Sequence, residues 1–115
     1  MRTRREPVAR VPLAAGDKVR FDNDRMPFYV RAVSPDGRWV ICTRPFPLRN
    51  TVLYTIIDFD NGVRGPDDLV FTFGYENDED IADNMQRLIN GEMEVSVRHD
   101  TPLFISHVIR AEATP

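Results

Sequence analysis

Four carboxylates crowd one short stretch of the chain: Asp58, Asp60, Asp67 and Asp68. Closely spaced carboxylates are what a hard cation such as calcium requires. The run Asp58-x-Asp60-Asn61-Gly62 comes near a calcium-loop pattern, but its glycine falls one place early and no glutamate follows at the required distance. Asp60 is better read as a hairpin residue, because Asp and Asn close turns through their own side chains. His99 and His107 are too far apart for a helical metal pair, and neither belongs to a cluster at structural-zinc spacing. Cys42 lies within an apolar run, where a thiol is buried and inert. Ser34, Ser96 and Ser106 lack the flanking glycines of a nucleophile elbow, and no glycine-rich phosphate loop is present. The expectation is a non-enzyme with no catalytic residue, no metal and no cofactor.

Aromatics and arginines make a more productive set. Tyr29, Trp39, Phe46 and Tyr54 are interleaved with Arg31, Arg38, Arg44, Arg49 and Arg64. Small β-domains bind ligands with exposed aromatic rings and arginines at strand and loop ends, where the rings stack and the guanidinium groups pair. Tyr29, Arg31, Trp39, Arg44, Phe46 and Arg64 are the candidate partner-binding residues. The competing reading buries Trp39 and Tyr54 in the core and leaves the arginines as solubilising charge, since large aromatics are highly buried on average.

The elements that must carry these residues are mostly strands. Asp17 to Asp22 alternates Val19 and Phe21 against Lys18 and Arg20, and Phe28 to Val33 follows as a second strand. Ser34-Pro35-Asp36-Gly37 fits a type I turn. Arg38 to Arg44 is apolar on both sides, hence a central strand, which Pro45 and Pro47 should end. Thr51 to Asp60 is the longest strand, and Asn61-Gly62 after it predicts a type I′ hairpin turn. Gly65-Pro66 should interrupt pairing before a strand over Leu69 to Phe73. A helix over about 78–90 follows, with Asn77 or Asp78 as cap, Ile81, Met85, Leu88 and Ile89 as one apolar stripe, and Gly91 as its stop. Met93 to Arg98 and Leu103 to Ile109 read as one or two further strands. The expected fold is α+β, mostly β: a small SH3-like antiparallel barrel of about five strands with one C-terminal helix.

One domain is the default for 115 residues. Residues 16–110 are expected to form it, with 1–15 a flexible basic tail and 111–115 a second tail. No apolar run is long enough to cross a membrane, and the N-terminal run has charge without the apolar segment of a secretory signal. A single cysteine precludes an intrachain disulfide and fits a reducing compartment. Fourteen of the 15 basic residues are arginine, a bias that GC-rich genomes produce. Residues 1–50 carry net charge +6 and residues 51–115 carry −9. Such asymmetry suits a basic binding surface or a self-complementary contact, unless the strands mix the two halves in space.

The runs Tyr29-Val30-Arg31-Ala32-Val33 and Trp39 to Phe46, WVICTRPF, open a pattern that continues through Thr51 to Asp58, TVLYTIID, then Gly62 to Asp67, GVRGPD, then Leu69-Val70-Phe71 and Gly74-Tyr75-Glu76. As a set these motifs, within residues 17 to about 103, resemble an uncharacterised family of small proteins of actinobacterial phages and prophages. The resemblance implies a phage accessory protein of the host cytoplasm and brings no catalytic residues with it. The leading expectation is a binding module acting on a host or phage protein. The alternatives are nucleic-acid binding, with Arg2, Arg4, Arg5 and Arg10 on phosphates and Tyr29 or Trp39 stacked on bases, and self-assembly into a homo-oligomer.

Overall fold

The computed structural model describes residues 11–21, 26–46, 51–72, 78–93 and 105–111. Period-two alternation makes Lys18–Phe21 a strand, β1, which buries Val19 and Phe21 on one face and turns Lys18 and Arg20 to the other. Phe28–Val33 is β2. The turn into Trp39–Phe46, β3, is built from its own polar residues. The Gly37 N–H donates to the Ser34 carbonyl, and Gly37 takes φ +79°, the left-handed region that favours glycine. Asp36 accepts from the Ser34 hydroxyl at 2.7 Å and from the Arg38 N–H at 3.0 Å. Thr51–Asp58 (β4) and Val63–Thr72 (β5) continue the meander, Asp78–Ile89 is the helix α1, and Ile105–Ile109 is β6.

All six strands form one antiparallel sheet in the order β5-β4-β3-β2-β1-β6. The mostly-β, α+β class read from the sequence is therefore present. One face carries Val19, Phe21, Phe28, Val30, Val40, Cys42, Ile57 and Phe59 as a core, and the partly buried Val11 and Leu13 pack against it. The other face carries Ile41, Tyr54 and Ile56 under α1, whose Ile81, Met85 and Leu88 close a second core with Ala32 and Trp39 at its margin. Trp39 and Ile41 thus face opposite to Val40 and Cys42, as the two-sided apolar pattern of β3 requires.

The sheet is strongly curled. In a flat sheet β5 and β1, four spacings apart in the strand order, would lie roughly 19 Å from one another, beyond what an arginine and a phenylalanine can bridge. Yet the Arg64 guanidinium carbon of β5 sits 4.0 Å from the Phe21 ring centroid of β1. The face bearing Phe21 and Ile57 is therefore concave, and α1 lies on the convex face. Among the described residues no ladder joins β5 to β6, so the sheet is open and the expected SH3-like barrel is not closed.

Local differences from the sequence reading each have a cause. The β4–β5 hairpin exists, but its loop is four residues, Phe59 to Gly62, because Asp58 pairs with Val63. A two-residue type I′ turn would place Phe59 within the ladder, whereas here its ring is fully buried in the concave core. β3 runs on through Pro45, which pairs with Val52 of β4 beyond the last β2 partner at Thr43. A missing donor costs nothing where the β2 ladder has already ended. β5 continues through Gly65-Pro66 by a register shift between Tyr54 and Ile56, which an edge strand tolerates. Ile89, expected in the helical stripe, is 43% exposed, since only Ile81, Met85 and Leu88 meet the sheet. Gly91, φ +73°, ends the helix as expected, with Glu92 N–H donating to the Arg87 carbonyl. Arg2, Arg4, Arg5 and Arg10, the 94–98 part of the strand expected from Met93, and residues 112–115 lie outside the described residues.

Candidate functional site

Residues paired across an antiparallel sheet share a face. A single row therefore crosses the convex side: Ile109, Lys18, Tyr29, Thr43 and Tyr54, each the register partner of the next. A second, shorter row pairs Arg20 with His107 on that same face. Between Val30 and Ala32 the β2–β3 register shifts by one residue, so Arg31 is the extra residue of a bulge. That bulge keeps Arg31 on the convex side with Ala32, and its Nη1 donates to Thr43 Oγ1 at 3.3 Å.

α1 packs across β2 and β3, and among the described residues no element packs over β1 and β6 on this face. What remains is a shelf beside the helix, built from Lys18, Arg20, Tyr29, Arg31, His107 and Ile109. Tyr29 is 40% exposed and Ile109 50%. Lys18 Nζ stands 5.4 Å from the centre of the Tyr29 ring, a cation–π contact. Strands β1, β2 and β6 contribute no carboxylate, so the charge they bring to the shelf is positive, while Asp80 of α1 acts on Tyr54 at its inner margin. At its inner margin Asn84 of α1 donates to Tyr54 Oη at 3.1 Å. Burial raises the Tyr54 phenol above its ordinary range, and the Asn84 bond and the Arg31 charge only partly oppose this.

Of the six residues read from the sequence, the five whose side chains are described do not form one site. Tyr29 and Arg31 lie together on the shelf. Trp39 is on the same face but half-buried against the helix core, with the Arg38 guanidinium 4.4 Å from its ring. Arg44 belongs to the concave side, 4.3 Å over the Phe28 ring, with its Nη1 donating to the Met26 carbonyl at 2.9 Å. Arg64 is only 8% exposed. Its guanidinium covers Phe21 from across the curled sheet, which removes it from any surface a partner could reach. Phe21 and Phe28 meet edge to face at 5.7 Å, so Arg64, Phe21, Phe28 and Arg44 form one continuous row of ring contacts that runs from the core to the partly exposed Arg44. Phe46 pairs through its backbone with Thr51, and its side chain lies outside the described residues. Lys18, Arg20, His107 and Ile109 were not among the sequence candidates. The alternation of Lys18 and Arg20 was the available signal, but their neighbours on β6 are nearly 90 residues away in sequence.

Of the carboxylates that suggested a cation, Asp58 has other work, and the side chains of Asp67 and Asp68 lie outside the described residues. Asp58 accepts from Arg38 Nε at 2.9 Å and Nη2 at 3.2 Å, from Asn61 Nδ2 at 2.6 Å and from the Asp60 N–H at 3.0 Å. Burial alone would raise its carboxyl, but the Arg38 and Asn61 bonds and the Arg38 charge outweigh that and hold it below the usual range. The calcium-like spacing is thus the anatomy of a turn clamp. Asp17 is the second clamp. It accepts from the N–H groups of Ala111 at 2.8 Å and Ala14 at 3.0 Å and from Arg110 Nη1 at 3.1 Å. The Ala111 bond leads in lowering its carboxyl, against the desolvation that raises it. Arg110 also donates to the Pro12 carbonyl. Among the described residues, no three of His, Cys, Asp and Glu come together to hold a metal ion, and no helix is long and apolar enough to cross a membrane.

Compared with known proteins, the chain matches no family model, no curated sequence and no solved structure.

Proposed function

We propose that this chain is a non-catalytic binding module that holds an acidic protein surface on its cationic shelf. The observation that carries the reading is the shelf itself: Lys18, Arg20 and Arg31 around a 40% exposed Tyr29, on three adjacent strands without a carboxylate. A rigid aromatic ringed by cations is the composition of interface centres, where Tyr and Arg are enriched. The two carboxylate clamps support this reading, because they fix the hairpin and the β1–β6 junction and leave the shelf as a rigid platform. The resemblance to small proteins of actinobacterial phages and prophages supports a phage accessory protein acting on a host or phage protein in the host cytoplasm. The curl that brings Arg64 onto Phe21 supports an SH3-like barrel left open between its edge strands.

A single-stranded nucleic acid is the second reading, favoured by a tyrosine ring that can stack on a base beside three cations. The overall charge of −3 and the acidic helix beside the shelf oppose it. Affinity purification of the tagged protein from an actinobacterial host, with and without nuclease, separates the two. A protein recovered by the parent, retained after nuclease and lost with Tyr29→Ala supports the module. Recovery that collapses on nuclease treatment assigns the shelf to nucleic acid. Recovery unaffected by Tyr29→Ala and Arg20→Glu places binding elsewhere.

A further inference from the structure

The surface that best complements the shelf is on the same molecule. Ile81, Met85 and Leu88 of α1 face the sheet. At 3.6 residues per turn, Glu79, Ala82, Asp83 and Gln86 then form the opposite ridge, and all four are exposed. Glu79 and Asp83 make this ridge acidic. Among the described residues, neither they nor Lys18 and Arg20 have an ion-pair partner. Among the described residues, Tyr29, Ile89 and Ile109 are exposed large hydrophobics, Tyr29 and Ile109 in the convex row and Ile89 on α1. The convex side therefore holds, next to each other, a cationic shelf with apolar residues and an acidic ridge flanked by an apolar residue.

Resting on the reading of the shelf as the binding face, we propose that the acidic partner is a second copy of this chain: α1 of each copy docks on the shelf of the other in a two-fold dimer. A two-fold contact uses the same patch on both copies, so it requires a patch carrying both complementary halves. Lys18 and Arg20 of one copy meet Glu79 and Asp83 of the other, and the contact is repeated across the axis. Tyr29, Ile109 and Ile89 supply its apolar centre. A standard interface takes about 800 Å² per partner, about a tenth of the 7447 Å² accessible surface of the chain. A shelf of three strands plus one face of a three-turn helix is of that order.

Sedimentation velocity on the full chain tests this, in low and high salt. A dimer in low salt, weakened about tenfold or more in high salt, is expected, because rim charge pairs are screened. Arg20→Glu and Asp83→Arg should each give a monomer with an unchanged far-ultraviolet circular dichroism spectrum, and an equimolar mixture of the two should recover dimer. Lys18→Glu with Glu79→Arg is a second such pair should either first variant fold poorly. A parent chain that stays monomeric in low salt at the highest attainable concentration overturns the proposal. Dimers that survive the charge reversals overturn it too, since the contact must then lie elsewhere. A monomer that shifts a single-stranded oligonucleotide overturns it in favour of nucleic acid. A monomer that still captures an acidic protein through Tyr29 removes the dimer and leaves the binding module standing.

Discussion

Replacing Asp58 by asparagine keeps the shape of the β4–β5 turn and removes one charge, which makes it a sharp probe of the clamp. The carboxylate accepts four bonds, two at each oxygen: Arg38 Nε and the Asp60 N–H at Oδ1, Arg38 Nη2 and Asn61 Nδ2 at Oδ2. An asparagine has one acceptor oxygen and, in place of the other oxygen, an NH2 group that only donates. Whichever way its amide turns, two of the four bonds become donor against donor. Hydrogen bonds to a charged group contribute about 1.5–3 kcal/mol each when buried. Arg38 is a third exposed and Asn61 is exposed, so water recovers part of the loss. The expected cost is about 2 kcal/mol at neutral pH, or a fall of roughly 8 °C in Tm for a domain of this size.

The pH dependence supplies the sign. The folded carboxyl is held below its usual range, so its contribution is fully present above the unfolded value of about 3.9 and is lost as pH falls through the folded value. Asparagine does not titrate. The gap between the parent and Asp58→Asn should therefore close as acid is added, while both proteins share the other acid losses. Urea unfolding at neutral pH and near pH 3 reads this directly. A gap under about 0.5 kcal/mol at neutral pH, within the range of ordinary surface substitutions, would refute the clamp. So would a gap that does not shrink in acid.

Asp17→Asn should destabilise by about 1–2 kcal/mol through weaker acceptance from Ala14 and Ala111, with hydrogen exchange accelerating at the β6 amides before those of β3. Because its carboxyl is also held low, this penalty too should fade in acid. Thr55 is fully buried and its hydroxyl has no hydrogen-bond partner among the described residues, so Thr55→Val should raise stability by about 1 kcal/mol in the same urea assay. Gly91 adopts φ +73° with open space around its α-carbon, so Gly91→Ala should cost about 1 kcal/mol from backbone conformation alone and no more. Pro66 withholds one backbone donor from edge strand β5, so Pro66→Val should complete the donor row of a pairing-competent edge and increase light scattering on storage.

Sequence pattern was informative wherever a contact is local. β2 over Phe28–Val33 and the Ser34–Gly37 turn follow directly from alternation and turn chemistry, and the helix and its Gly91 stop follow from period and capping. Proline misled at both places where it was taken as a break. What mattered at Pro45 was whether a neighbouring strand still needed its donor, which is a property of β2. The site was harder. Arg31 reaches the convex face through a bulge, and a bulge has no signature in an alternating run such as YVRAV. Arg64 looked like a surface arginine until the curl of four intervening spacings brought Phe21 beneath it. His107 and Ile109 join Arg20 and Lys18 only because β6 pairs with β1, and no local signal announces a pairing between the two ends of a chain.

That pairing also sets an order of events in time. β2, β3, β4 and β5 are joined by short connections, and each can zip onto its predecessor as soon as it exists. β1 differs: its β6 edge must wait for residues such as Ser106, whose hydroxyl donates to the Arg20 carbonyl 86 positions away. On the ribosome, nearly the whole chain has to be made before that edge is covered. At the elongation rate of about 5–20 residues per second, the wait lasts seconds, while a hairpin closes in microseconds. Through that interval the nascent protein shows an open strand edge bearing Lys18 and Arg20, and edge charges are a common natural defence against pairing with the wrong neighbour. The lysine and arginine that later furnish a binding shelf would first serve as the guard on an unfinished sheet.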